Sequence, residues 1–361
     1  MTARDYFSAS YREARRKFRD AATHAGAALG SHLNPKVTGP EGEELATDVA
    51  RLGPNDAGRV LLTISGTHGA EGFCGSGAQV GSFAAGLGRE LPADTALVAV
   101  HAINPYGFAW VRRVTEDNVD LNRNFVDHSG KLPGNAGYAE LADAICPREW
   151  TPTALGAAQA RLDVYREKHG AAALQAAITI GQYTHADGVF YGGAAETWSR
   201  QTIMAIVQQH ARRARRLAII DFHTGLGPWG YGEPIVIHRP GTLGLGRARQ
   251  WYGDRVTSTA LGNSTSADVR GDILSGIEQR LGHTEVTGLA IEYGTLPLDD
   301  VLNALRADNW LHLHGELDSA KGREIKSAVR DAFYGDKDDW KDMIFEQAMT
   351  HQRSALRGLV A

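Results

Sequence analysis

Two apolar runs, "RVLLTIS" (59–65) and "TALVAVHAIN" (95–104), stand about thirty residues apart, and "GSGAQVGSFAAGLGREL" between them has helical spacing. A strand, a helix and a second strand at this separation form a parallel crossover unit, because parallel neighbours need a long connection. "LAIIDFHTG" (217–225) and "GLAIEYGT" (288–295) are further apolar runs that end in polar residues. The expected fold is α/β: a single domain with a mostly parallel, mixed, twisted sheet flanked by helices.

Around that sheet, Phe7, Tyr11, Ala14, Phe18 and Ala21 recur at three- and four-residue intervals and predict an N-terminal helix over about 5–30. The stretch from 30 to 58 is broken by Gly and Pro and reads as loops around short strands. A helical insertion is expected over about 135–216 and a helical tail over about 300–361. No repeat, linker or composition shift divides the chain, so residues 1–361 are read as one domain.

Hydrophobic residues make up 43% and charged residues 22%, the balance of a globular protein with a real core. A net charge of −4 gives no electrostatic reason to expect nucleic acid or an anionic membrane as partner. No apolar stretch reaches bilayer length, and "MTARDYFSASYREARRKFRD" lacks the apolar centre of a secretory signal. A cytoplasmic location is the expectation. Cys74 and Cys146 cannot build a disulfide framework, and Cys74 reads as a small, partly buried thiol rather than a nucleophile.

Functional groups of open α/β sheets gather at the carboxyl ends of strands. His68 and Glu71 follow the first run within "TISGTHGAEGFCGSG", His223 ends the third, and Glu292 stands near the end of the fourth. Zinc catalysis takes about three protein ligands and an open position, and two His with one Glu is a known set. A separate carboxylate must still move protons. His68, Glu71 and His223 suit the ligand role, and Glu292 the base. An isolated H-x-x-E is as a rule a surface or capping pair, and a lone histidine a core residue, so these four need support from elsewhere.

Support comes from "NPYGFAWVRRVTEDNVDLNRNF" (104–125). With "SGTHGAEGF" before it and "DFHTG" and "IEYGT" after it, in that order over residues 64–295, the chain resembles a bacterial branch of the zinc carboxypeptidase superfamily. That superfamily joins carboxypeptidase A-like peptidases to deacylases of the aspartoacylase and succinylglutamate desuccinylase type. The resemblance implies one zinc ion per chain on His68, Glu71 and His223, with Glu292 as general base and acid. It also implies that Asn122 and Arg123 hold a substrate carboxylate, that Arg113 rather than Arg112 stabilises the oxyanion, and that Asp120 orients His68.

The implied activity is a zinc-dependent amide hydrolase, metallocarboxypeptidase-like, acting on a small molecule or short peptide with a free carboxylate. An N-acyl amino acid deacylase is the alternative, and a non-catalytic carboxylate- or peptide-binding module the rival from another class. One departure bears on the choice. Peptidases of the family carry a substrate-binding tyrosine some twenty residues before the catalytic glutamate, and no tyrosine occurs here from Asp268 to Ile291. Tyr183, Tyr191 and Tyr231 are the loop tyrosines that could replace it. No G-x-S-x-G elbow occurs.

Overall fold

The four apolar runs form the centre of one eight-stranded sheet. A computed structural model describes residues 2–361. In chain order the elements are α1 (Tyr11–His24), β1 (Ala28–Thr38), β2 (Glu44–Leu52), β3 (Arg59–Ile64), α2 (Gly72–Ala84), β4 (Thr95–His101) and α3 (Pro105–Ala109). There follow α4 (Ala136–Ile145), α5 (Pro152–His169), α6 (Ala171–Thr179), α7 (Trp198–His210), β5 (Arg216–Trp229), β6 (Gly232–Val236), α8 (Leu243–Tyr252) and β7 (Thr257–Ser258). The chain ends with α9 (Ile273–Arg280), β8 (Glu285–Gly294), α10 (Leu298–His314), α11 (Ala320–Phe333) and α12 (Asp338–Val360).

The strand order is β1-β2-β4-β3-β5-β8-β6-β7. The central strands β4, β3, β5 and β8 run parallel, while β1 and β2 on one side and β6 on the other are antiparallel to their inner neighbours. This is the expected mixed, mostly parallel sheet of a single α/β domain.

Both faces of the central strands are covered, so alternate residues enter different cores. Leu61 of β3, with Ala218, Ile220 and Phe222 of β5 and Ile291 of β8, joins the cluster that α1, α2 and α12 cover. Val60, Leu62 and Ile64 of β3, with Leu217 and Ile219 of β5, pack under α7 and α9. A third cluster joins α4, α5 and α6 to α10 and α11. Three of the middle helices therefore pack against α10 and α11.

Three boundaries differ from the expectation. The N-terminal helix spans only Tyr11–His24, because Ser10 caps it by accepting a hydrogen bond from Glu13 N. The stretch expected as loops instead builds β1 and β2, strands of 11 and 9 residues. Pro35, which argued against a strand, is tolerated because β1 is an edge strand with an irregular register between Leu33 and Thr38. The middle region holds four helices, interrupted after Thr179 by an irregular segment that lasts until α7 begins at Trp198. Among the described residues no helix is long and apolar enough to cross a membrane.

Candidate metal centre

The turn after β3 is folded by two glycines. Gly66 has a φ of +67°, which side chains rarely adopt. At Gly69 a Cβ would meet the backbone of Gly107 at 1.9 Å, so α3 can approach only a residue with no side chain. The N–H groups of Gly69 and Ala70 then donate to the carbonyls of Arg113 and Arg112, at 3.1 and 2.7 Å. This suspends His68 and Glu71 over the sheet.

Alternation along β5 and β8 supplies the rest. Residues 217 and 219 face α7 and α9, so Asp221 and His223 project from that same face, as Glu292 does from β8. His68, Glu71 and His223 are all buried, and their ligand atoms lie within 4.8 Å of one another.

The hydrogen-bond chemistry of the group is that of a cation site. His68 Nδ1 lies 2.8 Å from Glu71 Oε1, and His223 Nδ1 lies 3.0 Å from Glu71 Oε2. The far nitrogens also face carboxylates: His68 Nε2 is 3.1 Å from Asp120 Oδ1 and His223 Nε2 is 2.7 Å from Asp221 Oδ2. A neutral imidazole has one N–H, so it cannot donate at both ends. His223 therefore carries two protons or meets a cation at Nδ1, whereas His68 Nε2 also has Arg113 Nη2 at 2.8 Å, from which it can accept. The residues present therefore fit a divalent ion bound by the two Nδ1 atoms and Glu71, with the N–H groups at Nε2 held by Asp120 and Asp221.

Electrostatics follow from these contacts. Burial opposes the charge on Glu71, but His68 and His223 beside it hold its carboxyl well below the usual carboxylate range. Burial likewise opposes ionisation of Asp120, and Arg113, Arg123 and His68 overcome it. Burial would lower His223, yet Asp221 and Glu71 raise it well above an ordinary histidine. Glu292 goes the other way. Desolvation and the nearby Glu71 push it up to about 8, against the pull of His223, the Leu226 N–H and Arg113.

Each residue read from the sequence has a definite place. Glu292 Oε1 accepts from Leu226 N at 3.0 Å on the wall of a cavity of about 370 Å³ that His68, His223, Arg113, Asn122 and Arg123 also line. Arg113 donates from Nε to Asp120 Oδ2 at 2.9 Å and from Nη1 to Glu71 Oε1 at 3.2 Å, with Nη2 2.8 Å from His68 Nε2. Arg112 turns away and binds Asp308 of α10 at 3.0 Å. Asp120 also caps its own turn by accepting from Asn122 N.

Asn122 Oδ1 accepts from Ile273 N at 2.9 Å, and its amide NH2 has no protein partner among the described residues. Arg123 gives Nε and Nη2 to Thr179 O and Nη1 to Asn122 O, so three of its five N–H groups are already used. No tyrosine lines the cavity among the described residues, and Tyr183 donates to Arg123 O at 2.6 Å. Cys74 is buried, and its thiol is pushed well above its usual range.

Sequence reasoning missed Asp221 and Thr67. Thr67 Oγ1 bonds Asp221 at 2.8 and 3.0 Å, so the residue before one histidine orients the carboxylate behind the other. The signal was present: D-x-H on a strand puts both side chains on one face.

A family model described as "Protein of unknown function (DUF2817)" matches residues 7–347. No curated protein sequence matches the chain. Among solved structures, thrombin activatable fibrinolysis inhibitor is 10% identical, with 97% of this chain and 74% of that one covered and a TM-score of 0.51. That likeness shows a shared fold. Carboxypeptidase A from Helicoverpa armigera (11% identity, 91% and 75% covered, TM-score 0.46) also matches. So does succinylglutamate desuccinylase from Chromobacterium violaceum (16% identity, 87% and 72% covered, TM-score 0.37).

Proposed function

The chain belongs to the DUF2817 family, and within it we propose that this protein is a metal-dependent amide hydrolase of small substrates with a free carboxylate, metallocarboxypeptidase-like in chemistry, with zinc as the metal. One observation carries the reading. His68, Glu71 and His223 form a buried His–Glu–His group whose chemistry suits a divalent cation, beside a cavity whose wall also holds a further carboxylate, Glu292.

His68, Glu71 and His223 would hold the ion. Bound there, a divalent cation supplies Lewis acidity toward the scissile carbonyl and activates water. Glu292 takes the proton of the attacking water and delivers it to the departing nitrogen. Its anchoring to Leu226 N through Oε1 leaves Oε2 for that exchange. Arg113 is the cation nearest the proposed ligands, and its contacts to Glu71 and His68 use two of its four Nη–H bonds, which leaves donors for the oxyanion. Asn122, with its free amide NH2, and Arg123, with its remaining donors, receive the carboxylate.

Among the described residues no tyrosine lines the cavity, which favours an N-acyl amino acid deacylase as the second reading, since peptide trimming in the resembled family uses one. A mass-spectrometric product screen separates the two. Zinc-loaded wild type and Glu292→Gln are given free-carboxylate peptides and N-acyl amino acids. Loss of single C-terminal residues by wild type alone establishes the peptidase, and release of acyl groups with the peptides left intact establishes the deacylase. Stoichiometric zinc binding with no amide cleaved in the panel overturns both and leaves a binding module.

A further inference from the structure

The cavity has two unlike walls. Every lining residue that α10 and α11 contribute is apolar: Leu298, Val301, Leu302 and Leu305 from one helix and Phe333 from the other. Their spacing of three and four places them on one helical face. Asp299 and Asp300, in the first turn of α10, are exposed. Val301, Leu305 and Phe333 are anchored in the third core cluster, whereas Leu298 and Leu302 keep partial exposure.

This wall abuts the reacting groups. Thr224 Oγ1 donates to Phe333 O at 2.6 Å, directly after the ligand His223. A Cβ at Gly225 would lie 3.1 Å from the Phe333 ring and 3.7 Å from Glu292 Oε1, so the ring and the carboxylate flank one bare position. The other wall differs. Residues 259–279 give a mixed lining, with Asp268, Arg270, Asp272 and Gln279 beside Val269 and Leu274, and Asn122 is tied to that side through Ile273 N. Phe125 N, just beyond Arg123, donates to Gly271 O there as well.

We propose that the α10–α11 wall is the subsite for the carbonyl side of the scissile bond and that it takes an apolar group. The substrate class is then an N-acyl or N-aminoacyl amino acid whose acyl part is an aliphatic or aromatic chain. This rests on the hydrolase reading above. The carboxylate end goes to Asn122 and Arg123 on the mixed wall, and the acyl end goes to the wall that is apolar throughout. A charged acyl chain such as succinyl would meet Leu298 and Leu302 with no hydrogen-bonding partner among them.

The test is a matched series, the N-acetyl, N-butanoyl, N-hexanoyl and N-succinyl derivatives of glycine, leucine and glutamate, given to the zinc-loaded full chain. Each methylene buried on an apolar wall is worth up to about fourfold. The hexanoyl compounds are therefore expected to exceed the acetyl ones by at least about tenfold in kcat/KM, with succinyl below butanoyl. Leu302→Asp should erase that gain while zinc content stays unchanged. Hydrolysis that is flat in chain length, or fastest with succinyl, overturns the apolar subsite and leaves the hydrolase reading standing. If no member is cleaved, the hydrolase reading fails separately, and calorimetric binding of the same compounds to Glu292→Gln decides the subsite. Tighter binding of hexanoyl than acetyl, lost in Leu302→Asp, supports it; equal binding or none overturns it.

Discussion

His223 and Glu292 are register partners on the adjacent parallel strands β5 and β8. Neighbouring strands are about 4.8 Å apart, so the sheet itself sets the separation between a proposed ligand and the proposed base. Loop motion does not enter into it.

That fixed geometry makes the ligand set separable from the base. His223→Ala or Glu71→Gln should reduce metal content from one ion per chain toward none by atomic spectroscopy. In wild type, chelation should lower the melting temperature by several degrees, and added zinc should restore it. An ion present at 1,000 times its Kd stabilises by about 4 kcal/mol. An unchanged melting temperature on chelation would mean that the three residues hold no ion.

Glu292→Gln should keep full metal content and lose activity by about 10²–10⁴ in kcat, the range of a general acid–base. KM should change little, because the amide fills the same volume and can still accept from Leu226 N. Steady-state kinetics on the first substrate found in the product screen checks both numbers.

Asp221→Asn should weaken zinc binding by about 10–100-fold without unfolding the protein. The amide oxygen can still accept from His223 Nε2, but it carries no charge to make the imidazole a better donor to the metal. Competition with a calibrated chelator measures this directly. Thr67→Val, which removes the hydroxyl that Asp221 accepts from, should give a smaller loss in the same direction.

His101 predicts the pH dependence of stability. It is fully buried, bonded to Ser76 and stacked on Phe18, with no partner for Nδ1. Burial lowers it to about 4; Asp48 opposes that shift and Arg15 adds to it. A folded value below the unfolded one of about 6.5 means that the unfolded chain binds more protons between them. The stabilisation is therefore complete above the unfolded value and is lost as pH falls towards 4, an effect of about 3 kcal/mol. Urea unfolding between pH 7 and pH 4.5 should show this slope, and His101→Gln should make it shallower.

The centre of the fold was legible because a strand buried on both faces must be an apolar run, and four such runs each stood out. His68, Glu71, His223 and Glu292 were legible as polar residues at the ends of those runs. β1 and β2 were not: β1, an edge strand with a proline, owes its order to β2, and β2 in turn is held by β4. Asp221 was hidden inside an apolar run. Which of two adjacent arginines would face the ligands depended on the backbone path through residues 110–118, and no spacing rule encodes that path. The α10 leucines looked like any amphipathic helix until the third cluster showed which of them remain partly uncovered.

Arg112 and Arg113 diverge from one stretch of backbone, the first to Asp308 on α10 and the second to Asp120, while their carbonyls carry the turn that bears His68 and Glu71. Consecutive residues thus act as a yoke between the apolar wall and the ligand turn. An outward shift of the wall is thereby linked to the turn that bears the proposed ligands. On the proposed chemistry, an acyl chain too large for the wall would disturb that turn and should be rejected at the chemical step rather than at entry.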